Sequence, residues 1–398
     1  MTIDFSPETL PPGAATQGLA FATPDGAATS GLLYTPWGGS KTLVALMHPR
    51  VDFSRHYLIP SLLRAGLAVW GQRSRHVNND LATVHEQLLI DIAVAHRELM
   101  QRGFERLILV GNSGGASLYA LYAQQAALAA EDRLAAAPSG LAVDLTLPMP
   151  QADGVILLAP HPGQGDLLLH CIDPAVRDEA EPAGVDETLD LFSPANGFRP
   201  APESSSFSAD FIARYREAQR HRVRRIDAIA RDILTEQRQL KMLASEGDRE
   251  ASRRSMAARF ITVHRTDADP RTVDLSLDPS DRDYGSIFGR RPDVTNFGSV
   301  GFGRLTTAHA WLSTWSGEST NAALRLTLPH MRMPMLLIEY TADNSVFPSE
   351  ITVIRKSTRT KDLTFHRLSA DHYGFLPASG ERSAEPAEAI TAWIASHT

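Results

Sequence analysis

Five short apolar runs, each ended by turn residues, constrain the fold of this chain more than any other feature. They occupy residues 42–47, 67–71, 107–110, 154–158 and 334–338. Continuous apolar runs of this length are typical of strands that are covered on both faces, as in a parallel sheet flanked by helices. Segments with helical spacing, such as 54–66 and 81–103, lie between them. The alternation predicts an α/β fold with a doubly wound, mostly parallel sheet, and the segment 18–40 predicts an antiparallel hairpin at one edge.

The strand pattern stops after residue 162 and returns at residue 334. The intervening segment is expected to contain a long helix, a small hairpin and a tryptophan-containing helix, at 208–245, at 261–263 with 273–277, and at 306–315. A large, mainly helical insertion in an α/β sheet is the simplest organisation that fits this pattern. We therefore predict a core formed by 1–162 and 326–398, and an insertion formed by 163–325.

Composition and charge exclude several classes of protein. The 39 lysines and arginines against 46 acidic residues give a formal charge of −7, which argues against a protein that coats nucleic acid. Cys171 is the only cysteine, which excludes an internal disulfide framework and a multi-cysteine metal site. The spacing of His161, Asp166 and His170 fits no zinc pattern either. We therefore expect no metal site and no nucleic-acid partner.

The N-terminal residues and the apolar runs bear on where the protein acts. Residues 1–10 lack a basic stretch followed by an apolar run, which is the pattern of a signal peptide. The longest apolar runs are far too short to cross a bilayer. We expect a cytoplasmic protein that acts on a small molecule and not at a membrane. Whether the helical segment from residue 208 packs on its own chain or on a second copy in a homo-oligomer stays open.

The sequence Gly111-Asn112-Ser113-Gly114-Gly115 is the strongest functional signal in the chain. It directly follows a predicted strand and precedes a stretch that is compatible with a helix. A serine hydroxyl is a poor nucleophile, and a tight strand-to-helix turn exposes it to a base. The first and last glycines leave room for the turn to pack, and the N–H of Gly114 can point at a developing oxyanion. Ser113 is therefore the candidate nucleophile, with a plain packing turn as the alternative.

A serine nucleophile needs a base and a group that orients the base. Asp343 follows the predicted strand at 334–338, and His372 follows a strand-like run at 363–368. The chain order Ser, Asp, His is the one expected when such a turn lies in a doubly wound sheet. Both residues come after the carboxyl ends of strands, where open α/β sheets place their ligand sites. Alternative candidates for these two roles are Asp371, Glu339 and His161, and Asp343 can also serve as a simple turn cap.

These segments resemble the α/β-hydrolase family. The resemblance rests on the turn around Ser113, on Asp343 in the sequence Ala-Asp-Asn-Ser-Val-Phe-Pro, and on the late His372. It covers residues 42–160 and 333–398, and the predicted insertion lies where members of the family often carry a cap over the active site. The resemblance implies a Ser–His–Asp hydrolase that works through an acyl-enzyme intermediate and needs no cofactor.

The chain departs from the family pattern at one point. The family often has His-Gly after the third strand, where a nearby residue donates the second oxyanion N–H, whereas this chain has His48-Pro49-Arg50. Proline has no N–H to donate. We therefore expect the N–H groups of Arg50 and Gly114 to form the oxyanion hole. The alternative is that His48-Pro49 only stiffens the loop and that another backbone amide serves.

The sequence indicates the type of reaction more clearly than it indicates the substrate. Candidate lining residues are His48, His161, Tyr284 and Trp311, and candidate readers of an anionic group are Arg50, Arg73 and Arg75. We expect hydrolysis of an ester-type acyl bond in a small, partly apolar molecule, because a large insertion encloses the substrate and excludes water. Cleavage of an amide or a carbon–carbon bond, acyl transfer, and a non-catalytic binding role stay open.

Overall fold

A mixed eight-stranded sheet forms the centre of the computed structural model, which describes Asp4, residues 6–77 and residues 79–397. The strands in chain order are β1 (Ala15–Ala22), β2 (Ala28–Thr35), β3 (Thr42–Leu46), β4 (Ala68–Arg73), β5 (Arg106–Asn112), β6 (Gly154–Leu158), β7 (Phe260–Thr262), β8 (Leu305–Thr307), β9 (Met335–Tyr340) and β10 (Leu363–Leu368). The order in the main sheet is β1-β2-β4-β3-β5-β6-β9-β10, while β7 and β8 pair separately. All neighbours in the main sheet are parallel except β1 with β2 and β2 with β4.

Helices cover both faces of the sheet, as the sequence predicts. The helices are α1 (Ile59–Arg64), α2 (His85–Met100), α3 (Gly115–Ala126), α4 (Gln164–Cys171), α5 (Ala209–Ser245), α6 (Arg249–Ser255), α7 (Pro292–Thr295), α8 (Ala308–Ala310), α9 (Leu324–Thr327), α10 (Pro348–Ser357) and α11 (Glu385–Ser396). Within the described residues, no helix is both long enough and apolar enough to span a membrane.

Strand β3 shows why the apolar runs are continuous. Leu43 and Ala45 belong to the apolar cluster on the face covered by α2 and α3. Val44 and Leu46 belong to the cluster on the opposite face, which is covered by α1 and α11. All four side chains are fully buried, because successive residues of a strand point to opposite faces and both faces are covered. The prediction of a doubly wound sheet is confirmed, and the edge hairpin is formed by β1 and β2.

Two apolar clusters lie within residues 163–325, the predicted insertion. The predicted long helix is α5, and the Ser208 side chain caps it by accepting a hydrogen bond from the N–H of Phe211. Along α5, Val223, Ile226 and Ala230 face the first of these clusters at helical spacing.

Two predictions inside the insertion are wrong. The expected hairpin partner of 261–263, residues 273–277, forms turns and not a strand, because the Asp274 side chain accepts hydrogen bonds from the N–H and the hydroxyl of Ser276. Strand β7 pairs with β8 instead. The expected helix at 306–315 therefore begins as a strand and becomes helical only at α8, which continues as a π-helix over Trp311–Trp315.

Candidate active site

Ser113 lies on a sharp turn between β5 and α3, with its backbone in the left-handed region at a φ of 56°. A non-glycine residue rarely adopts this conformation, and the flanking glycines make it possible. A Cβ at Gly111 would lie 2.5 Å from the Cα of Ala116, and one at Gly115 would lie 2.3 Å from the backbone oxygen of Met47. Both contacts are with backbone, so α3 can lie this close to β5 and to the end of β3 only when neither position carries a side chain.

The Ser113 hydroxyl begins a chain of hydrogen bonds that ends on a buried carboxylate. Its Oγ lies 3.0 Å from Nε2 of His372, and the Nδ1 of His372 lies 2.7 Å from Oδ2 of Asp343. The other carboxylate oxygen, Oδ1, accepts from the N–H groups of Ser345 and Val346 at 2.7 and 3.0 Å. Asp343 is therefore fixed from both sides, and the structure brings together the three residues that the sequence analysis singles out.

The two alternative acids have other partners. Oδ1 of Asp371 accepts from the N–H groups of Tyr373 and Phe375, which shapes the loop after His372. Glu339 forms an ion pair with Arg367 across the neighbouring strands β9 and β10. Asp343 is therefore the carboxylate that orients the imidazole.

The charge of Asp343 changes how readily His372 binds a proton. Burial of the imidazole by itself lowers the pKa of His372, but the charge of Asp343 and its hydrogen bond, together with the charge of Asp371, outweigh that effect. The pKa of His372 is raised above its ordinary value of 6.5 as a result. Because its pKa is raised, the imidazole of His372 is a stronger base than that of a free histidine.

His161, the alternative base, also reaches the hydroxyl. Its Nδ1 lies 3.3 Å from Oγ of Ser113, and its Nε2 lies 2.8 Å from Oγ of Ser345. Burial, followed by the charges of His372 and His48, holds the pKa of His161 well below 6.5. This ring is therefore neutral and has a hydroxyl, not a carboxylate, behind it.

The backbone amides near Ser113 differ from the expected oxyanion hole. The N–H of Gly114 has no hydrogen-bond partner among the residues that the structure describes, as a free donor requires. The expectation for Arg50 is wrong, because its N–H donates to Nδ1 of His48 at 3.0 Å. The imidazole of His48 folds back over its own loop and occupies this amide, together with the N–H of Val51 at 3.0 Å.

The hydroxyl of Ser113 opens on a cavity of about 430 Å³. The core contributes the polar groups of His48, Asn112, His161 and His372, and Gln164 at the start of α4 adds another. The insertion contributes an apolar wall, which is formed by Ile287, Phe288 and Phe302. A polar floor under an apolar roof is the usual composition of a site for a small organic molecule.

Comparison with known proteins yields structural likeness only. No protein-family model matches the chain, and no curated protein matches its sequence. The solved structure of DcsB in complex with its substrate analogue aligns over 96% of this chain and 99% of that chain, at 13% identity and a TM-score of 0.51. The alpha/beta hydrolase GrgF from Penicillium sp. sh18 aligns over 96% and 97%, at 11% identity and a TM-score of 0.44. The esterase domain of a Rhodothermus marinus protein aligns over 95% and 97%, at 13% identity and a TM-score of 0.42.

The sheet topology and the positions of three side chains in this chain identify its fold. Its mostly parallel eight-stranded sheet carries a serine on a strained turn after β5, an aspartate after β9 and a histidine after β10, in the order that an α/β-hydrolase sheet requires. The chain has the α/β-hydrolase fold. At 13% identity, the DcsB structure bears on the fold alone.

Two of the expected substrate contacts of this α/β-hydrolase fold lie elsewhere. Tyr284 lines a neighbouring cavity, and its hydroxyl donates to the backbone oxygen of Arg199. Trp311 is fully buried in the insertion, where its indole N–H donates to Asp227 at 2.7 Å. Aromatic residues in an insertion give no sequence signal that separates a cavity wall from a packed interior, so both assignments are corrected. His48 and His161 do line the cavity.

The three arginines considered as readers of an anion are all neutralised within the protein. Arg50 pairs with Asp80, Arg73 with Asp52, and Arg75 with Asp25 and Asp91. The guanidinium of Arg50 also lies over the rings of Phe302 and Trp315, 5.5 and 5.1 Å from their centres. Arg50 therefore anchors the insertion to the loop after β3 and brings no unbalanced charge to the cavity.

Two polar side chains at the site are not predicted from the sequence. Gln164, the first residue of α4, lies against Gly114, and a Cβ on that glycine would meet its Nε2 at 1.8 Å. Ser345 holds His161 from behind. Both follow strands at the carboxyl edge of the sheet, and this position is the only signal that points to them in the sequence.

Proposed function

We propose that this chain is a serine hydrolase that cleaves an ester-type acyl bond of a small, partly apolar molecule. The observation that carries the proposal is the continuous hydrogen-bonded chain from the Ser113 hydroxyl through His372 to Asp343, at 3.0 and 2.7 Å, with the hydroxyl open to a cavity. This arrangement meets the geometric requirement for an activated nucleophile, in which a base contacts the hydroxyl and a third group orients the base.

The positions of these groups support a reaction in two stages. Oγ of Ser113 attacks the carbonyl carbon while Nε2 of His372 takes the hydroxyl proton, and the carbonyl oxygen becomes an oxyanion near the N–H of Gly114. The intermediate collapses, the bond to the alcohol breaks, and the imidazolium gives its proton to the departing alkoxide. A water molecule then attacks the acyl-enzyme with His372 again as base. The products are a carboxylic acid, an alcohol and the free Ser113.

Asp343 acts on this sequence through His372. Its hydrogen bond to Nδ1 places the proton on that nitrogen and leaves Nε2 free to accept the proton of Ser113. Its negative charge stabilises the imidazolium that forms during attack. The two backbone N–H groups on its other oxygen prevent the carboxylate from turning away.

The size and lining of the cavity support a small, partly apolar substrate. Its volume of about 430 Å³ lies in the range of roughly 300–1,000 Å³ that small-molecule sites occupy. Phe288 and Phe302 supply an apolar wall, and the nearest guanidinium, that of Arg50, is already paired with Asp80. We infer that residues 163–325 act as a cap and that an uncharged, partly apolar acyl or alcohol group lies beneath it.

Turnover of p-nitrophenyl esters of increasing acyl length tests the proposal. We expect wild-type protein to release p-nitrophenol, and Ser113→Ala to reduce kcat by at least about 10³-fold. Ser61→Ala, in α1 and away from the cavity, is the matched serine variant and should behave as wild type. Activity that survives Ser113→Ala contradicts the proposal.

The same assay separates the related reactions. Adding alcohols or amines and analysing the products distinguishes hydrolysis from acyl transfer to an acceptor other than water. The corresponding p-nitroanilides report amide cleavage. Release of acid and alcohol in equal amounts, unchanged by the added acceptors, is the result expected for an ester hydrolase.

A further inference from the structure

We propose that the side chain of His48 supplies the second donor of the oxyanion hole, through its Nε2–H, beside the N–H of Gly114. The inference rests on the proposed function, because an oxyanion forms only if Ser113 attacks a carbonyl. It assigns a catalytic contact to a side chain where the sequence predicts a backbone amide of Arg50.

The hydrogen bonds of the His48 ring determine which nitrogen carries the proton. Nδ1 accepts from two backbone N–H groups, those of Arg50 and Val51, each at 3.0 Å. A nitrogen that accepts hydrogen bonds presents a lone pair, so the proton of the neutral ring lies on Nε2. Burial, followed by the charge of Arg50, holds the pKa of His48 well below 6.5, which keeps the ring in this neutral form. Nε2–H is therefore a fixed donor.

The position of Nε2 suits an oxygen shared with Gly114. The point at which a Cβ of Gly114 would stand lies 2.8 Å from Nε2 of His48. That point is about 2.5 Å from the nitrogen of Gly114 itself, so the two donor nitrogens are at most about 5.3 Å apart. Two donors that each lie about 2.9 Å from one oxygen can be separated by up to about 5.8 Å. A single oxyanion can therefore accept from both.

The Nε2 of His48 is also available. Among the described residues it has no hydrogen-bond partner, and the ring lines the cavity onto which Ser113 opens. The ring is held in place by its two accepted hydrogen bonds and by Phe53, whose centroid lies 5.1 Å away. A donor that is fixed before the substrate arrives needs no reorganisation when charge develops, which is the source of oxyanion stabilisation.

Other donors near Gly114 fit this role less well. Pro49 has no N–H, and the N–H of Arg50 is already used by His48. The amide of Gln164 lies closer to Gly114, but its Oε1 is buried without a partner among the described residues, so no hydrogen bond sets its orientation. His48 is the donor whose direction is determined by contacts on the opposite side of its ring.

Two substitutions separate the catalytic role from support of the loop. Asparagine at position 48 can place an oxygen near Nδ1 and accept from the amides of Arg50 and Val51, but it has no donor at the distance of Nε2. Glutamine can place an N–H near Nε2, but it has no acceptor for the loop. His48→Asn and His48→Gln therefore each remove one function and retain the other.

We expect His48→Asn to lower kcat by about 10²–10³-fold with little change in KM, which is the typical cost of one oxyanion donor. The loss of kcat in His48→Gln should be at least tenfold smaller than the loss in His48→Asn. Affinity for a trifluoromethyl ketone, which forms a tetrahedral adduct with Ser113, should fall in parallel with kcat/KM in His48→Asn. Affinity for the alcohol product should stay within about threefold, since the alcohol carries no negatively charged oxygen.

The opposite order overturns the proposal. If His48→Asn keeps kcat within about threefold of wild type while His48→Gln loses more, His48 serves only the loop. If His48→Asn does not fold, His48→Gln decides alone, because a folded protein with a loss above about 10²-fold contradicts a donor role and near-normal turnover supports it. Absence of turnover in wild-type protein shows instead that the proposed function has failed, and the inference fails with it.

Discussion

The imidazole rings of His161 and His372 lie stacked, with their centroids 4.9 Å apart and their planes 8° from parallel. Both rings reach Oγ of Ser113, at 3.3 and 3.0 Å. Two cations stacked at this distance would repel each other, so only one ring can hold an extra proton. Asp343 decides which, because it lies 2.7 Å from His372 while His161 faces the hydroxyl of Ser345.

Replacing the two histidines should therefore have unequal effects. We expect His372→Gln to lower kcat by about 10²–10⁴-fold, the usual contribution of a general base, and His161→Gln to lower it by less than about tenfold. Steady-state kinetics on one p-nitrophenyl ester measures both. A larger loss of kcat in His161→Gln than in His372→Gln would mean that His161, and not His372, is the general base.

Asp343→Asn should lower kcat by about 10⁴-fold, the loss known when the aspartate of a serine protease triad becomes asparagine. The amide no longer stabilises the imidazolium and favours the wrong tautomer of His372. Asp371→Asn is the matched control, because its carboxylate organises a loop through backbone N–H groups and an amide oxygen can do the same. Similar losses in the two variants would contradict the role given to Asp343.

The pH dependence follows from the raised pKa of His372. The base must be unprotonated to act, so kcat/KM should rise with pH and reach half its maximum above 6.5. In Asp343→Asn the remaining activity should show this midpoint shifted to lower pH, because the larger of the two charges that raise the pKa of His372 is gone. An unchanged midpoint in that variant would mean that another group controls the profile.

The raised pKa of His372 also makes stability depend on pH, but stability falls with rising pH whereas kcat/KM rises. A group whose pKa is higher in the folded state stabilises that state fully below its unfolded pKa of about 6.5, and this contribution is lost as pH rises through the folded value. The free energy of unfolding of wild type, relative to that of His372→Gln, should therefore decrease as the pH rises above about 6.5. Denaturant titrations of both proteins at several pH values measure the difference, and a difference that grows with pH contradicts the shift.

The two glycines beside Ser113 should fail in different ways when replaced by alanine. The three atoms nearest to a methyl at Gly114 belong to the side chains of Gln164 and His48 and none to the backbone, so the protein should fold while the oxyanion hole is blocked and kcat falls by at least about 10²-fold. A methyl at Gly111 meets the backbone of Ala116 at 2.5 Å and should lower Tm or prevent folding. Thermal melts together with kinetics distinguish the two. Normal turnover in Gly114→Ala would argue against an oxyanion hole at this position.

The apolar wall from the insertion should set the preference for acyl length. Phe288→Ala enlarges the cavity, so we expect kcat/KM for long p-nitrophenyl acyl esters to rise several-fold relative to that for the acetate. Tyr284→Phe, in the neighbouring cavity, is the matched control and should leave this ratio unchanged. An equal shift in both variants would mean that Phe288 does not contact the acyl group.

The parts of this molecule that follow local rules could be predicted from sequence. The strands, the turn at Ser113 and the placement of Asp343 and His372 depend on short patterns and on one topological rule about strand ends. The oxyanion hole could not be predicted from sequence. Whether the N–H of Arg50 is free depends on how the imidazole of His48 is rotated, and local sequence does not determine this rotation. The predictions for residues inside the insertion were the least accurate, because no periodic pattern indicates whether Trp311 faces a cavity or a packed interior.

Intact-mass measurement of the acyl-enzyme tests the central claim most directly. Protein mixed with a p-nitrophenyl ester and quenched in acid within the first turnover should gain the mass of one acyl group, located on the peptide that contains Ser113, and more of it should accumulate in His372→Gln if deacylation slows further than acylation. Ser113→Ala should gain none. Turnover without any acyl adduct in wild-type protein, or an adduct on another residue, would contradict attack by Ser113.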